Sequence, residues 1–168
     1  MHFTSNHDEN SWKGTVKERL GDAIKTFAVL SATMEGTPLI YNGQEASLDK
    51  RLEFFEKDAI EWTDFSMTPF YQQLLDLNHK NQALWNGEDG GEIQVLSPES
   101  DSLGFAFYRE MNEDEVLCVF NFSAQERTVQ FDNPSKNSLT ELFNESELVA
   151  EQGEITLPAW GYAVYHNE

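Results

Sequence analysis

The sequence predicts an α+β chain in two parts, a βαβ-containing segment over residues 1–86 followed by an antiparallel all-β sandwich over 87–168. Three observations carry this expectation. A helix-start signal lies between two short apolar runs in the first part. The turn-rich stretch Asn86-Gly87-Glu88-Asp89-Gly90-Gly91 then interrupts the chain. Beyond it, apolar runs near 93–96, 103–109, 115–122, 127–131, 138–143, 155–157 and 160–165 recur at the spacing of short strands. The charge balance changes at the same boundary: residues 1–88 carry 14 acidic and 8 basic side chains, whereas residues 89–168 carry 16 and 3.

His2-Phe3-Thr4-Ser5 reads as the first strand. Thr15-Val16-Lys17-Glu18 has the form of a capping box, in which the Thr hydroxyl and Glu carboxylate satisfy backbone groups at a helix start. Val16, Leu20, Ile24, Phe27, Leu30 and Met34 recur every three or four residues and predict one apolar stripe on one helix, stopped at Gly36. Pro38-Leu39-Ile40-Tyr41 reads as a strand of a parallel sheet. Residues 46–66, charged and aromatic without a clean period, are expected to form a loop with short helical turns. Thr68 as cap with Pro69 in the first turn predicts a helix whose face is Phe70, Leu74 and Leu77, ending near Asn81. In the second part, Met111-Asn112-Glu113-Asp114 and Asn133-Pro134-Ser135 are expected hairpin loops.

Composition narrows the function classes. The chain has 168 residues and a formal net charge of -19, with 12% aromatic residues including 12 Phe and 4 Trp, enough to build a packed core. Such acidity repels phosphate backbones and anionic membranes, so neither nucleic acid nor membrane is an expected partner, while a neutral polysaccharide is indifferent to it. Cys118, the single cysteine, sits in the apolar run Val116-Leu117-Cys118-Val119-Phe120 and reads as a small buried hydrophobe. The apolar runs are too short to span a bilayer, and no secretory h-region precedes residue 6. Because the start falls within a motif, localisation stays open.

Four segments, in order, carry a resemblance to a known family. Phe3-Thr4-Ser5-Asn6-His7-Asp8 resembles the Phe-x-x-Asn-His-Asp motif after barrel strand seven of alpha-amylase-family glycoside hydrolases. Gly36-Thr37-Pro38-Leu39-Ile40-Tyr41-Asn42-Gly43-Gln44-Glu45 is similar to their strand-eight segment. Phe70 to Leu77 resembles the closing barrel helix, and Leu157-Pro158-Ala159-Trp160-Gly161-Tyr162 the last strand of the C-terminal β-domain. The resemblance implies that residues 1–86 are a partial (β/α)8 TIM-barrel remnant carrying strands seven and eight. A complete barrel needs about 250 residues and does not fit.

The same resemblance implies site residues. Retaining glycosidases use a nucleophile and an acid/base about 5 Å apart across an oxocarbenium-like transition state. In the family a third carboxylate stabilises that cation, and here it corresponds to Asp8. His7 corresponds to a ligand of sugar hydroxyls, and Asn6 to a residue that orients them. Trp12 is a candidate sugar-stacking ring, although Glu9-Asn10-Ser11-Trp12 departs from the pattern of many family members. Gln44 and Glu45 either line the sugar cleft or hold neighbouring loops. The family's nucleophile and acid lie upstream of these segments, so the 168 residues alone are expected to be inactive.

His2, His79 and His166 lack metal-site spacing, and neither metal nor cofactor is expected. Trp85, Tyr108, Trp160 and Tyr162 read as core rather than as a sugar platform. The expected partner is an α-glucan or maltooligosaccharide bound by the parent enzyme. Two further accounts stand beside it: a non-catalytic glucan-binding β-sandwich, and one half of a split enzyme whose apolar surface takes the missing N-terminal barrel segment or a second copy of itself.

Overall fold

The computed structural model describes residues 1–149 and 153–167. Its centre is a six-stranded antiparallel sheet in the order β3-β4-β5-β10-β7-β8, formed by Gln94–Val95, Gly104–Met111, Asp114–Asn121, Tyr162–His166, Leu139–Glu141 and Glu147–Leu148 respectively. The last strand in the chain therefore lies in the middle of the sheet. A separate two-stranded ribbon pairs β6 (Arg127–Gln130) with β9 (Glu154–Leu157). In the first part, β1 (His2–Phe3) runs parallel to β2 (Pro38–Leu39), with α1 (Val16–Leu20) and α2 (Ile24–Thr33) between them and α3 (Thr68–Lys80) after them.

Side chains of a strand alternate between faces, so a strand covered on both sides must be apolar at every position. β5 shows this directly. Val116, Cys118 and Phe120 join Ala28, Val29 and Ala32 of α2 and Phe70, Leu74 and Leu77 of α3 in one core. Leu117 and Val119 join Val129 and Phe131 beside β6, with Leu157 of β9, in the other. The sheet is the middle of three layers, helices on one face and the ribbon on the other. Among the described residues the second sheet of the expected sandwich is thus two strands wide. Burial in the first core pushes the Cys118 thiol up to about 12, in keeping with an unreactive packing role.

Several expectations need correction. The single helix with one stripe is two helices, because Gly21 takes a left-handed φ of 53° and a short 3-10 turn over Gly21–Ala23 separates them. The face of α2 that is buried consists of small residues, Thr26, Ala28, Val29, Ala32 and Thr33. The larger Ile24, Phe27, Leu30 and Met34 are only half-buried. Close approach to the sheet and to α3 selects small side chains, which displaces the bulkier stripe to the side. At the start of α3 the cap is Met67, without a side-chain bond, since the Thr68 hydroxyl donates instead to the Glu45 carbonyl at 3.0 Å. Asn133-Pro134-Ser135 does not close a hairpin: β6 pairs with β9, and this segment crosses between sheets. The Met111–Asp114 hairpin forms as expected, with Asn112 at φ 56°. Within residues 46–66 only Ala46 belongs to a helical turn, the short 3-10 turn Gln44–Ala46, and the rest is loop.

The two parts share a buried cation. Arg109, on β4, is 1% exposed and donates to three backbone carbonyls: Gly91 at 2.8 Å, Thr33 at the end of α2 at 3.0 Å, and Trp85 at 2.8 Å. Burial pushes its guanidinium pKa down, opposed by the nearby charge of Glu35. Gly90 allows the chain to pass the Trp85 carbonyl, where a Cβ would sit 1.8 Å from the oxygen. The turn-rich segment 86–91 is a tightly held crossing. The Thr26 hydroxyl also donates to the Trp160 carbonyl, and the Phe27 and Phe122 rings stack with centroids 5.6 Å apart.

Arg109→Met should strip donors from all three carbonyls. At about 1–3 kcal/mol for each buried acceptor left unpaired, the unfolding free energy should fall by at least about 3 kcal/mol. Urea denaturation followed by far-UV circular dichroism measures this, and a loss below about 1 kcal/mol would show that the cation is not needed.

Candidate functional site

His7 and Asp8 lie beyond β1, after Thr4, Ser5 and Asn6, and lead into a wide helical turn over Glu9–Lys13 that is closed by the Gly14 N–H on the Glu9 carbonyl at 3.0 Å. Asn6 caps this turn, its side-chain oxygen accepting from the Glu9 N–H at 2.8 Å. His7 Nε2 and Asp8 Oδ2 are 3.5 Å apart, with side chains 67% and 61% exposed. Neither lines any of the larger surface clefts.

The segment after β2 is fastened to this turn. Asn10, 3% exposed, donates to the Lys50 carbonyl at 3.0 Å and accepts from the Leu52 N–H at 2.7 Å, so one side-chain amide replaces two backbone partners. The Ser11 hydroxyl donates to the Leu52 carbonyl at 2.7 Å. The expected capping box at Thr15 and Glu18 is present, with bonds of 3.1 and 2.7 Å. It also reaches across. The Thr15 hydroxyl donates to Asp49 at 2.7 Å, and Arg51 makes a two-pronged contact to Glu18 at 2.8 and 3.1 Å. Arg51 and the Thr15 N–H hold the Glu18 carboxyl below its ordinary value; the Thr15 hydroxyl and Lys17 do the same for Asp49.

Trp12 is 56% exposed and its ring meets those of Phe54 and Phe55, at centroid distances of 5.3 and 6.2 Å. His7 lies 5.7 Å from the Phe54 ring. Gln44, by contrast, is occupied inside the protein. Its amide N–H groups donate to the Thr4 hydroxyl at 2.8 Å and the Tyr71 hydroxyl at 2.9 Å, and its oxygen accepts from the Tyr41 N–H at 2.8 Å. Burial pushes Tyr71 up to about 12, so the phenol is neutral at ordinary pH. Glu45 accepts from the Gly43 N–H at 3.0 Å and is half-buried. Of the alternatives for this pair, Gln44 has the geometry of a loop-holding residue.

The structure thus brings Asn6, His7, Asp8 and Trp12 onto one turn, and sets Gln44 and Glu45 behind it at the end of β2. Sequence reasoning missed Asn10, Asp49 and Arg51, which fasten the two segments. It also missed Phe54 and Phe55. Two adjacent aromatics inside Arg51-Leu52-Glu53-Phe54-Phe55-Glu56-Lys57 were a legible signal of exposed rings, since a core strand does not place charges on both sides of such a pair. Tyr108 and Tyr162 pack in opposite layers, so with Trp85 and Trp160 they form no common platform. Among the described residues no three His, Cys, Asp or Glu side chains cluster as a metal site, and no helix is long and apolar enough to cross a membrane.

Residues 93–164 match the family model for the C-terminal domain of maltogenic amylase. This chain matches the C-terminal part of alpha-amylase-family glycoside hydrolases. A cyclomaltodextrinase from a Bacillus species is 30% identical over 102 residues, covering 58% of this chain and 18% of that protein. A maltogenic alpha-amylase from Bacillus acidopullulyticus is 24% identical over 140 residues, covering 79% and 23%. Among solved structures, a maltogenic alpha-amylase from Thermotoga neapolitana superposes with a TM-score of 0.78 at 19% identity, over 99% of this chain and 40% of that one. A debranching enzyme from Nostoc punctiforme gives 0.69 at 20% identity, over 98% and 33%. The chain therefore spans about a fifth of the length of the curated alpha-amylase-family relatives it matches, and shares a mixed α and β fold with an antiparallel sheet.

The ionic clasp between the two segments makes a pH prediction. Glu18 and Asp49 have folded pKa values below their ordinary 4.5 and 3.8, so their contribution is complete above those values and is lost as pH falls through the lowered ones. Acidification below about pH 4 should mobilise residues 49–52 before the sheet melts. Amide resonances of Leu52 and Val119, followed together in NMR, test the order. Simultaneous loss would contradict it.

Proposed function

We propose that the chain is the closing quarter of an alpha-amylase-type catalytic barrel, residues 1–86, joined to its C-terminal β-domain, residues 87–168. In this reading it acts within an enzyme that cleaves α-glucans such as starch and maltooligosaccharides. Asp8 stabilises the oxocarbenium-like transition state through its charge, and His7 holds sugar hydroxyls. Asn6 fixes the turn that carries both, and Trp12 offers a ring to a pyranose face. Gln44 and Glu45 hold the end of the neighbouring strand.

One observation supports this most. β1 and β2 pair in parallel, and the segments bearing Asp8 and Gln44-Glu45 leave from the same, C-terminal, ends of the two strands. Active-site groups of a (β/α)8 barrel occupy that end. The homologous enzymes act on related substrates by name, a cyclomaltodextrinase and a maltogenic alpha-amylase among them.

Hydrolysis needs a nucleophile and an acid/base flanking the bond, and an exposed Asp8 outside any deep cleft provides neither. The 168 residues by themselves are therefore inactive in this reading. The account of one half of a split enzyme rests on a further observation. Among the described residues β1 and β2 each have only one pairing partner, and clefts flank them on both sides. One, of about 290 Å³, is lined by Phe3, Leu20, Phe27, Leu30 and Met34; the other, of about 870 Å³, by Pro38, Leu75 and Trp85. Unpaired strand edges beside apolar surface favour addition of further strands. The account of a glucan-binding β-sandwich receives less support, because no aromatic residue in the described part of 87–168 is exposed.

Purified alone, the chain should release no reducing sugar from maltoheptaose. Joined to a family member's upstream barrel segment, it should recover hydrolysis, and Asp8→Asn should then lower kcat by about 100- to 1000-fold. Cleavage by the isolated chain, or a restored activity indifferent to Asp8→Asn, would overturn the reading.

A further inference from the structure

We infer, on the reading of Asp8 given above, that Arg19 is the positioning residue of the His7-Asp8 turn, its one guanidinium bridging the chain that enters the turn to the chain that leaves it. Arg19 lies near the end of α1, and its side chain is 22% exposed. Its Nη2 donates to the Thr4 carbonyl at 2.6 Å and its Nε to the Gly14 carbonyl at 3.1 Å. Nη1 donates to Glu9 Oε2 at 3.4 Å, on the residue next to Asp8. The three contacts fall before, within and after the segment that carries Asn6, His7 and Asp8.

The direction of the side chain departs from ordinary helix chemistry. A basic residue in the last turn of a helix commonly serves the free carbonyls at that end. Arg19 belongs to the last turn of α1, yet it reaches back to Gly14, ahead of the Thr15 cap. The Thr15 and Glu18 capping box fixes the helix start, so the guanidinium is presented from a firm base. Gly14 has a φ of 128°, and a Cβ there would meet Glu18 Oε2 at 2.9 Å. The chain leaving the turn is thus pressed against the same helix that carries Arg19.

The turn needs such a bridge. Wide turns of this kind are rare and occur mostly at functional sites, and five residues are too few to hold a helical turn alone. The side chains of His7 and Asp8 are 67% and 61% exposed, so the backbone rather than packing decides where they point. Asn10 and Ser11 tie one side of the turn to residues 50–52, and Arg19 ties the other to α1. A guanidinium suits this task because its donors lie in one plane at fixed angles, which an ammonium does not reproduce. A carboxylate that must sit close to a developing cation tolerates little displacement, since a shift of about 1 Å costs up to about 100-fold in rate.

The first measurement is amide hydrogen exchange by NMR in the 168-residue chain. In Arg19→Lys and Arg19→Met, exchange should rise at least about tenfold at Asn10 and Gly14, whose N–H groups bond to the Asn6 and Glu9 carbonyls, and stay unchanged at Val119. The second is steady-state kinetics of the chain joined to a family member's upstream barrel segment. There Arg19→Lys should lower kcat by about 10- to 100-fold, a larger change than in KM, because the charge of Asp8 acts in the transition state. Combined with Asp8→Asn, it should cost no more than Asp8→Asn alone, as expected of a group that acts through Asp8. A residue needed only for folding would raise exchange everywhere and leave the kcat of the folded fraction intact, and that result overturns the positioning role. Unchanged exchange at Asn10 and Gly14, full activity in Arg19→Lys, or additive losses in the double variant overturn it as well. If Asp8→Asn leaves the joined enzyme's rate untouched, the reading of Asp8 fails instead, and exchange at Asn10 and Gly14 alone judges the bridge.

Discussion

Arg109 is the constraint on which the arrangement of the two parts depends. A guanidinium this deeply buried is tolerated only where its donors are met, and here backbone carbonyls meet them: the end of α2, the turn after α3 and the chain entering the sheet. No carboxylate bonds to it among the described residues. The site thus uses a strong donor to finish three chain segments that would otherwise bury unsatisfied oxygens. Because those segments belong to both halves, one side chain on β4 sets how the helices lie across the sheet. That placement in turn sets where β1 and β2 point.

From that frame the candidate site is built by polar side chains acting as substitute backbone. Asn10 stands in for a strand between the Glu9–Lys13 turn and residues 50–52. Gln44 ties the end of β1, the end of β2 and Tyr71 of α3 through one amide. With so few backbone bonds between two-residue strands, these amides provide much of the lateral connection. The side chains of the candidate site are consequently divided in kind. His7, Asp8, Trp12 and Phe55 face water, while Asn6, Asn10 and Gln44 spend their hydrogen-bonding capacity inside the protein.

The behaviour of α2 shows why a helical stripe is an incomplete guide to burial. Its larger apolar residues repeat correctly, yet Ala28, Val29 and Ala32 face the core. A helix wedged between a sheet and another helix is limited by backbone separation, and small residues win the closest position. Leu30 and Met34 are left lining a cleft beside the open edge of β1.

Local chemistry was sufficient to read several features from the sequence. The Thr15 and Glu18 capping box, the parallel pair around a helical crossover, the Asn112 hairpin and the continuous apolar run of β5 all follow from spacing and residue type. The four ordered motifs pointed to the alpha-amylase family for the same reason, since each is a contiguous string. Tertiary structure alone decided the rest. The pairing of β6 with β9, the central place of β10, the roles of Arg109 and Asn10, and the meeting of Trp12 with Phe54 and Phe55 all join residues far apart in the chain. Local propensity carries no information about such partners. They are chosen by which surfaces remain to be covered, and which polar atoms remain to be bonded, once every element competes for the same core.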